Sequence, residues 1–404
     1  MRPIPKSDSC NTLVDVTEIQ HKFDDDIDYF CSGDETIETH LMLPSDDFID
    51  IEQRLYLPAA TLSSYESPCN VATQLSIDEC LRNIPNVYVR NDELLNQPHR
   101  VLSSSKDNVS SDNNERILNV FQGEVAHATS SQCDVIASDN ATTCHILAMR
   151  STLSDRRDDG QTLASLAHID RPGYEDCVRD MIKRHKSFHR DAITLCSDEI
   201  IDMDVHIMGG FNDADGSSRE ISSFLMDLLV RLSEEECCSV RMTLRTCAIS
   251  CMNDDGQCSP IGRGLAVNVA TGECFLATVD NSAVGPAAVL RNARLWSRSS
   301  SSKKRRLSLM HDVRDSNDGE SRIVVEPFMF HDIRGSDILL RLPDCVLLQH
   351  TSTSPEVEKD DFCDVVRKTL RFMKYVDCKN VFGQYYDEAV VFQRQPSGNM
   401  WGKI

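Results

Sequence analysis

Two short apolar runs with a polar octet between them constrain the fold of this chain more than any other feature. The runs are residues 133–137 and 146–149, and both are partly β-branched. Short runs of this kind favour strands, with the octet between the strands or at their ends. The octet reads Ser138-Asp139-Asn140-Ala141-Thr142-Thr143-Cys144-His145. The sequence therefore predicts a strand–loop–strand unit that carries one cysteine among small hydroxyl residues.

Cys144 is the candidate nucleophile of this unit. Its small neighbours leave the sulfur open to a substrate and place backbone N–H groups where an oxyanion could accept them. The competing interpretation is one more buried thiol, which is a common state of free cysteine.

The octet together with Ile146 resembles the nucleophile segment of the protein N-terminal asparagine amidohydrolase family. Further stretches resemble that family in the same order, from about residue 117 to the C-terminus: 206–211, 264–269, 352–355 and 400–404. The resemblance implies a cysteine hydrolase that converts N-terminal asparagine of proteins or peptides to aspartate. It also implies a place at the head of the N-degron pathway, with ubiquitin-dependent degradation downstream.

The formal net charge of −22 argues against a nucleic-acid backbone as a partner, because phosphates would be repelled. No apolar run approaches the roughly 20 residues that a membrane-spanning helix needs. The 17 cysteines are an odd number without a small-domain framework. Reduced thiols are their natural state, so we expect a cytoplasmic protein, with the nucleus as a second location.

Cysteine spacing gives no support for a metal site. Cys237, Cys238, Cys247, Cys251 and Cys258 fit no common zinc-ligand pattern and have no paired CxxC or HxxxH beside them. Nucleophilic cysteine chemistry also needs no cofactor, and none is expected.

The acidic residues are concentrated early in the chain. Residues 1–75 are rich in Ser and Asp and only weakly periodic, which predicts a disordered or loosely docked extension. Residues 76–404 are the predicted amidohydrolase domain, with a Ser-, Arg- and Lys-rich loop at residues 297–306.

Strands come in runs within this domain, with few helices between them, which predicts a mixed α/β fold with a two-sheet core. Helical spacing predicts helices over residues 174–188, from a capping box at Ser217, over 286–296 and around 362–373. The resemblance sharpens the fold to an α-β-β sandwich of the kind seen in cytotoxic-necrotizing-factor-like cysteine hydrolases.

A thiol nucleophile needs a base and later an acid, and one histidine can serve both steps. His145 is adjacent to Cys144, but neighbours on a strand point to opposite faces, so we expect it to point away. His168 ends the next apolar strand, where pairing with the Cys144 strand could bring it within reach. The resemblance places the base at this position.

The family uses a serine to orient this histidine, and the resemblance leaves three positions open: Ser352, Ser354 and Ser138. A capping box over residues 353–356 would explain Thr353 and Ser354, but it does not explain Ser352. The sequence therefore favours Ser352 slightly.

The substrate's free α-ammonium must be recognised, or internal asparagines would also be attacked, and this requires a carboxylate or several acceptors. Asp139 and Glu124 match acidic positions of the family, and Asp139 is the first choice because it is close to Cys144. Thr143 and Cys144 would supply oxyanion donors. The family carries an acid where this chain has Asn140, so we do not expect Asn140 to be essential.

Two other functions remain open at this point. One is a cysteine hydrolase of another amide, such as N-terminal glutamine. The other is a non-catalytic protein that keeps the fold and binds N-termini.

Overall fold

The computed structural model describes residues 85–104, 115–153, 162–191, 200–213, 216–255, 259–297, 306–313, 320–395 and 400–404. The predicted extension over residues 1–75 and most of the loop at 297–306 lie outside these residues. None of the described helices is long and apolar enough to cross a membrane.

Fourteen strands and eight α-helices are assigned in this part of the chain. The strands are β1 Arg100–Leu102, β2 Ile117–Asn119, β3 Glu124–Thr129, β4 Val135–Ala141, β5 His145–Leu153, β6 Leu163–Ile169, β7 Ile201–Gly209, β8 Val240–Ile249, β9 Arg263–Asn268, β10 Cys274–Val279, β11 Ser308–His311, β12 Arg322–Val325, β13 Val390–Arg394 and β14 Trp401–Lys403. The helices are α1 Pro85–Leu95, α2 Glu175–Asp191, α3 Ser217–Glu235, α4 Ala288–Trp296, α5 Ser336–Leu339, α6 Asp344–Thr351, α7 Phe362–Tyr375 and α8 Cys378–Phe382.

The strands form three sheets. The first has the order β1-β10-β9-β4-β2, the second β11-β3-β6-β5-β7-β8, and the third β12-β13-β14. β4 and β5 flank residues 142–144 but belong to different sheets. The chain therefore crosses from the first sheet to the second within the octet, and this crossing places Cys144 where the two sheets meet.

The alternation of side chains along β5 separates two hydrophobic cores. Leu147 and Met149 pack with α2 and α3 on one face of the second sheet. Ile146 and Ala148 pack with inward residues of β4, β9 and β10 on the other face. A strand buried on both faces reads as a continuous apolar run, as residues 146–149 do. The fold is thus mixed α/β, as the sequence predicts, with three sheets among the described residues.

The predicted helices are confirmed, with small differences at their ends. The start of α3 differs in its chemistry, because Gly216 takes the N-cap position with φ 73° and no side chain caps the helix there. Asp213 instead accepts from the Ser218 N–H, at 3.1 and 3.2 Å from its two carboxylate oxygens. The predicted capping box at Ser217 is therefore wrong.

Candidate active site

Two consecutive glycines at the end of β7 pack directly against the backbone of Cys144. Gly209 pairs with His145 in the sheet, and the Gly210 N–H donates to the Cys144 carbonyl at 2.9 Å. A Cβ atom on Gly209 would lie 2.3 Å from the Cys144 carbonyl oxygen. Gly209 also has φ 112°, which disfavours any side chain. The diglycine therefore lets the backbone of Cys144 pack closely against the end of β7.

We expect Gly209→Ala to lower both stability and turnover. The added methyl meets a backbone atom that cannot rotate away, and the positive φ adds strain, so the free energy of unfolding should fall by about 3 kcal/mol or more. The matched control is Gly173→Ala, because Gly173 has φ 97° but has no heavy atom within 4 Å of its added Cβ. Urea unfolding should show a loss of only about 1–2 kcal/mol for this control. Equal losses in both variants would contradict the steric argument.

His168 lies on the same face of the second sheet as Cys144. β6 pairs antiparallel with β5, and His168 lies opposite Ile146. Ile146 and Cys144 belong to the same core cluster, two residues apart on the chain. The pairing therefore puts His168 beside the start of β5, the strand that Cys144 immediately precedes.

His145 points the other way, as predicted. Its Nε2 lies 2.7 Å from the Ser222 hydroxyl of α3, on the helix-covered face of the sheet. Of these two histidines, therefore, His168 has its imidazole on the Cys144 face of the sheet, and His145 does not.

Ser138 of β4 reaches across from the first sheet to His168. Its hydroxyl donates to the Val120 carbonyl at 2.6 Å and lies 2.7 Å from His168 Nδ1. Since the single hydroxyl proton goes to the carbonyl, the short contact with His168 requires Nδ1 to be the donor. In the neutral imidazole this leaves Nε2 without a proton, and no described group hydrogen-bonds to it. The geometry thus presents a buried lone pair on the Cys144 side of the sheet.

Burial keeps both groups neutral in the free protein. Loss of solvent raises the pKa of the Cys144 thiol to about 12, with the charge of Asp170 adding to the effect and a Thr143 hydrogen bond opposing it. Loss of solvent also lowers the pKa of His168 to about 4, against the pull of Asp170 and Asp139. Both shifts favour the uncharged forms of the two groups, a thiol and a neutral imidazole.

Ser352 and Ser354, the other two serines expected to orient the histidine, lie elsewhere. The Ser352 hydroxyl donates to Glu358 and accepts from the Ser354 N–H at 3.0 Å. The Ser354 hydroxyl is buried without a hydrogen-bond partner in the described part of the chain. The serine in contact with the imidazole is Ser138, so the preference for Ser352 at this contact is not met. The expected capping box at 353–356 is replaced by one 3-10 turn, Pro355–Val357, without a side-chain cap.

Glu124 lies in the core and does not face an open site. Its carboxylate pairs with Arg291 at 2.6 Å and with Arg294, and it accepts from the Phe121 N–H at 2.9 Å. Burial alone would raise its pKa, but the two guanidinium groups hold the pKa at about 2. These partners satisfy the carboxylate without a substrate.

Asp139 and Thr143 lie close to Cys144 in sequence, but their side chains contact different parts of the molecule. Asp139 accepts from the Val279 N–H at 2.7 Å and from Lys359, also at 2.7 Å. Its neighbour Ser138 points to His168, so strand alternation turns Asp139 to the outer face of the first sheet. Thr143 lies 3.4 Å from the Thr353 hydroxyl. A role for Asp139 in binding substrate stays a prediction.

Residues 352–358, called the strap here, bring one unexpected residue, Glu358, to the octet. Asn140 donates to Glu358 at 2.8 Å, across 218 positions of the chain. Asn140 has φ 55°, at a point where the register between β4 and β9 shifts. Asparagine tolerates this left-handed conformation better than most residues, and that preference is the one local signal that could have marked the position.

Comparisons with known proteins agree on one family. A family model described as protein N-terminal asparagine amidohydrolase matches residues 106–403. The enzyme of that name from Mus musculus is 28% identical over 293 residues, covering 71% of this chain and 84% of its own length. The Homo sapiens enzyme of that name is 27% identical, with the same coverage. The one from Arabidopsis thaliana is 25% identical over 336 residues, covering 79% of this chain and 90% of its own.

Proposed function

Because the chain belongs to the protein N-terminal asparagine amidohydrolase family, we propose that it hydrolyses the side-chain amide of N-terminal asparagine by Cys-His-Ser chemistry. As a member of this family the chain is a hydrolase of amide C–N bonds. The observation that carries the mechanism is the Ser138–His168 contact on the Cys144 face of the second sheet. The products are N-terminal aspartate and ammonia.

In the first half-reaction the Cys144 sulfur attacks the carboxamide carbon while its proton moves to His168 Nε2. Backbone N–H groups of Thr143 and Cys144 hold the oxyanion of the tetrahedral intermediate. His168 then returns the proton to the departing nitrogen, and ammonia leaves as the C–N bond breaks. The enzyme is left with a thioester between Cys144 and the substrate.

In the second half-reaction a water molecule loses a proton to His168 and attacks the thioester carbon. The C–S bond breaks, the proton returns to the sulfur, and aspartate is released. The same imidazole is base and acid in turn. Neither half-reaction, as written, requires a cofactor or a metal.

A neutral resting pair suits an amide substrate in a closed site. The thiol gives up its proton only when a carbonyl carbon is positioned to accept the sulfur, so no buried thiolate has to be maintained between turnovers. Ser138 supports this by holding the imidazole in the tautomer with a free Nε2.

Ser138→Ala should lower kcat/KM for Asn-peptides about 100-fold, because Nδ1 loses the acceptor that fixes both the tautomer and the ring position. The comparison is Ser352→Ala, which removes the serine that the sequence favours but leaves the His168 contact intact. Ammonia release under kcat/KM conditions measures both, with thermal unfolding as a check on the fold. A larger loss for Ser352→Ala than for Ser138→Ala would reverse the assignment.

The layered cores of this chain also suit the α-β-β sandwich of cytotoxic-necrotizing-factor-like cysteine hydrolases. We propose that likeness because α2 and α3, the second sheet and the first sheet each contribute to successive cores. We further place the protein in the cytoplasm and nucleus, where its product would enter the N-degron pathway. Arginylation of the new aspartate and ubiquitin-dependent degradation would follow.

The test of this function is ammonia release from three peptides that differ only at the N-terminus: Asn, Gln and acetyl-Asn. Turnover of the Asn-peptide alone is the expected result. Turnover of the Gln-peptide instead would identify a glutamine deamidase. Binding of the Asn-peptide without ammonia release would identify a non-catalytic protein that recognises N-termini.

A further inference from the structure

The proposed function requires a binding site for the positively charged α-ammonium of the substrate. The catalytic residues described above do not provide such a site. An N-terminal asparagine differs from an internal one by its free α-ammonium. A cation taken from water into a closed site needs a carboxylate or several acceptors. The inference below rests on the proposed function, and it names the group that binds this ammonium.

Two acids near the site, Glu124 and Asp170, already have cationic partners. Glu124 pairs with Arg291 and Arg294. Asp170, the residue after the β6 strand that carries His168, pairs with Arg171 at 3.0 Å and accepts from the Tyr174 hydroxyl at 2.7 Å. A substrate ammonium would have to compete with a resident cation at each of these carboxylates.

At Asp139, too, a substrate ammonium would have to compete with a resident cation. Its ion pair with Lys359 is 2.7 Å long, and the same oxygen accepts from the Val279 N–H. The Lys359 ammonium also donates to the Val279 carbonyl at 3.0 Å, which anchors the cation on the outer face of the first sheet.

Glu358 is different, because its two hydrogen-bond donors among the described residues are both neutral. Asn140 donates to Oε2 at 2.8 Å, and the Ser352 hydroxyl donates to Oε1. No cationic side chain in the described part of the chain forms an ion pair with it. A carboxylate can accept about four hydrogen bonds, so two neutral donors leave both its charge and part of its acceptor capacity for another group.

Glu358 is also held at the edge of the octet. Its partner Asn140 lies four residues before Cys144, and Thr353 of the same strap lies 3.4 Å from Thr143. Gly262 packs under this contact, because a Cβ there would lie 3.2 Å from the Asn140 amide oxygen and 3.8 Å from the Val357 carbonyl. The Glu358 charge reaches Cys144 and helps to raise the pKa of the thiol. The side chain is only partly buried, so a substrate can approach it.

We propose that the Glu358 carboxylate binds the substrate's α-ammonium and thereby restricts the enzyme to N-terminal asparagine. The α-nitrogen of asparagine is three bonds from the scissile carbonyl carbon. A carboxylate held at the edge of the octet therefore fixes the position of that carbon above Cys144. Asn140 and Ser352 position the carboxylate for this contact, which explains why the strap is bonded to the octet.

The test is Glu358→Gln, which keeps the side-chain length and an oxygen acceptor but removes the charge. Two substrates are compared: an Asn-peptide and the same peptide carrying hydrogen in place of the α-amine. We expect kcat/KM for the Asn-peptide to fall about tenfold or more, mainly through KM, while the des-amino peptide changes little. The ratio of kcat/KM for the Asn-peptide to kcat/KM for the des-amino peptide should fall by the same factor. Glu358→Asp, which keeps the charge, should retain part of that preference.

The matched control is Glu356→Gln, an exposed acid in the same strap, which should leave the turnover of both peptides unchanged. Asp139→Asn tests the alternative taken from the sequence. Loss of amine preference in Asp139→Asn with full preference in Glu358→Gln would overturn the proposal and assign the ammonium to Asp139. Equal losses on both peptides in Glu358→Gln would also overturn it, since they would show a structural role.

These outcomes are separate from a failure of the proposed function. If the wild-type protein releases no ammonia from the Asn-peptide, the function itself fails. If the wild type is active and Glu358→Gln keeps its full amine preference, only the inference about Glu358 fails.

Discussion

Cys144→Ala should abolish ammonia release from Asn-peptides, with a loss of at least about 1,000-fold in kcat. The reason is that the proposed thioester forms on the Cys144 sulfur, and alanine has no nucleophilic atom in its place. Cys144→Ser should be nearly as inactive, because a hydroxyl is a far weaker nucleophile beside a neutral imidazole. Ammonia release under single-turnover conditions measures the effect, and circular dichroism verifies the fold. Normal turnover by the Ala variant would refute the mechanism.

The matched control is Cys133→Ala. Cys133 is a free cysteine buried in the same core cluster, and burial raises its pKa to about 12, as it does for Cys144. Its replacement should cost some stability through lost packing but leave turnover within a few-fold. The pair of variants therefore separates the chemistry of the Cys144 sulfur from the general effect of losing a buried thiol.

The placement of Cys144 and His168 could be predicted because it depends on local patterns. Two short apolar runs define two strands, and the period of two decides which side chains share a face. Consecutive strands such as β5 and β6 commonly pair, so the sequence predicts that His168 lies near Cys144 and that His145 points away. Both expectations agree with the contacts in the structure.

The partner of His168 could not be predicted from local patterns. Ser138 contacts it only because β4 and β5 belong to different sheets that face each other across one core. A period-two pattern shows that a strand has two faces, but it does not show which sheet covers each face. The strap presents the same problem, because Asn140 and Glu358 meet across 218 positions with no local signal for the contact.

The acidic residues show a second limit of prediction from the sequence. Glu124 is an isolated acid in the sequence, and a substrate-binding role is one way to account for a carboxylate at the start of an apolar strand. The structure gives another way, since α4 places two arginines against it. The sequence therefore predicts a substrate contact for a carboxylate whose charge the core neutralises.

Glu124→Gln should destabilise the protein strongly. Arg291 and Glu124 are 0% and 2% exposed, and the Arg291 guanidinium also lies 3.8 Å from the centre of the Phe121 ring. Removing the carboxylate leaves two guanidinium groups in the core without a counter-charge, which typically costs about 3–5 kcal/mol. Because the pKa of Glu124 is held near 2, below its ordinary value of 4.5, its stabilising effect is present above pH 4.5 and is lost as the pH falls toward 2.

Urea unfolding at neutral pH measures this loss, and Glu273→Gln is the matched control. Glu273 also pairs with an arginine, Arg100, but both side chains are about half exposed. Breaking an exposed pair should cost less than about 1 kcal/mol. A Glu124→Gln protein with wild-type stability but a raised KM for Asn-peptides would contradict the core assignment. It would restore Glu124 to the substrate site, because a carboxylate whose loss raises KM but leaves the stability unchanged acts on the substrate and not on the core.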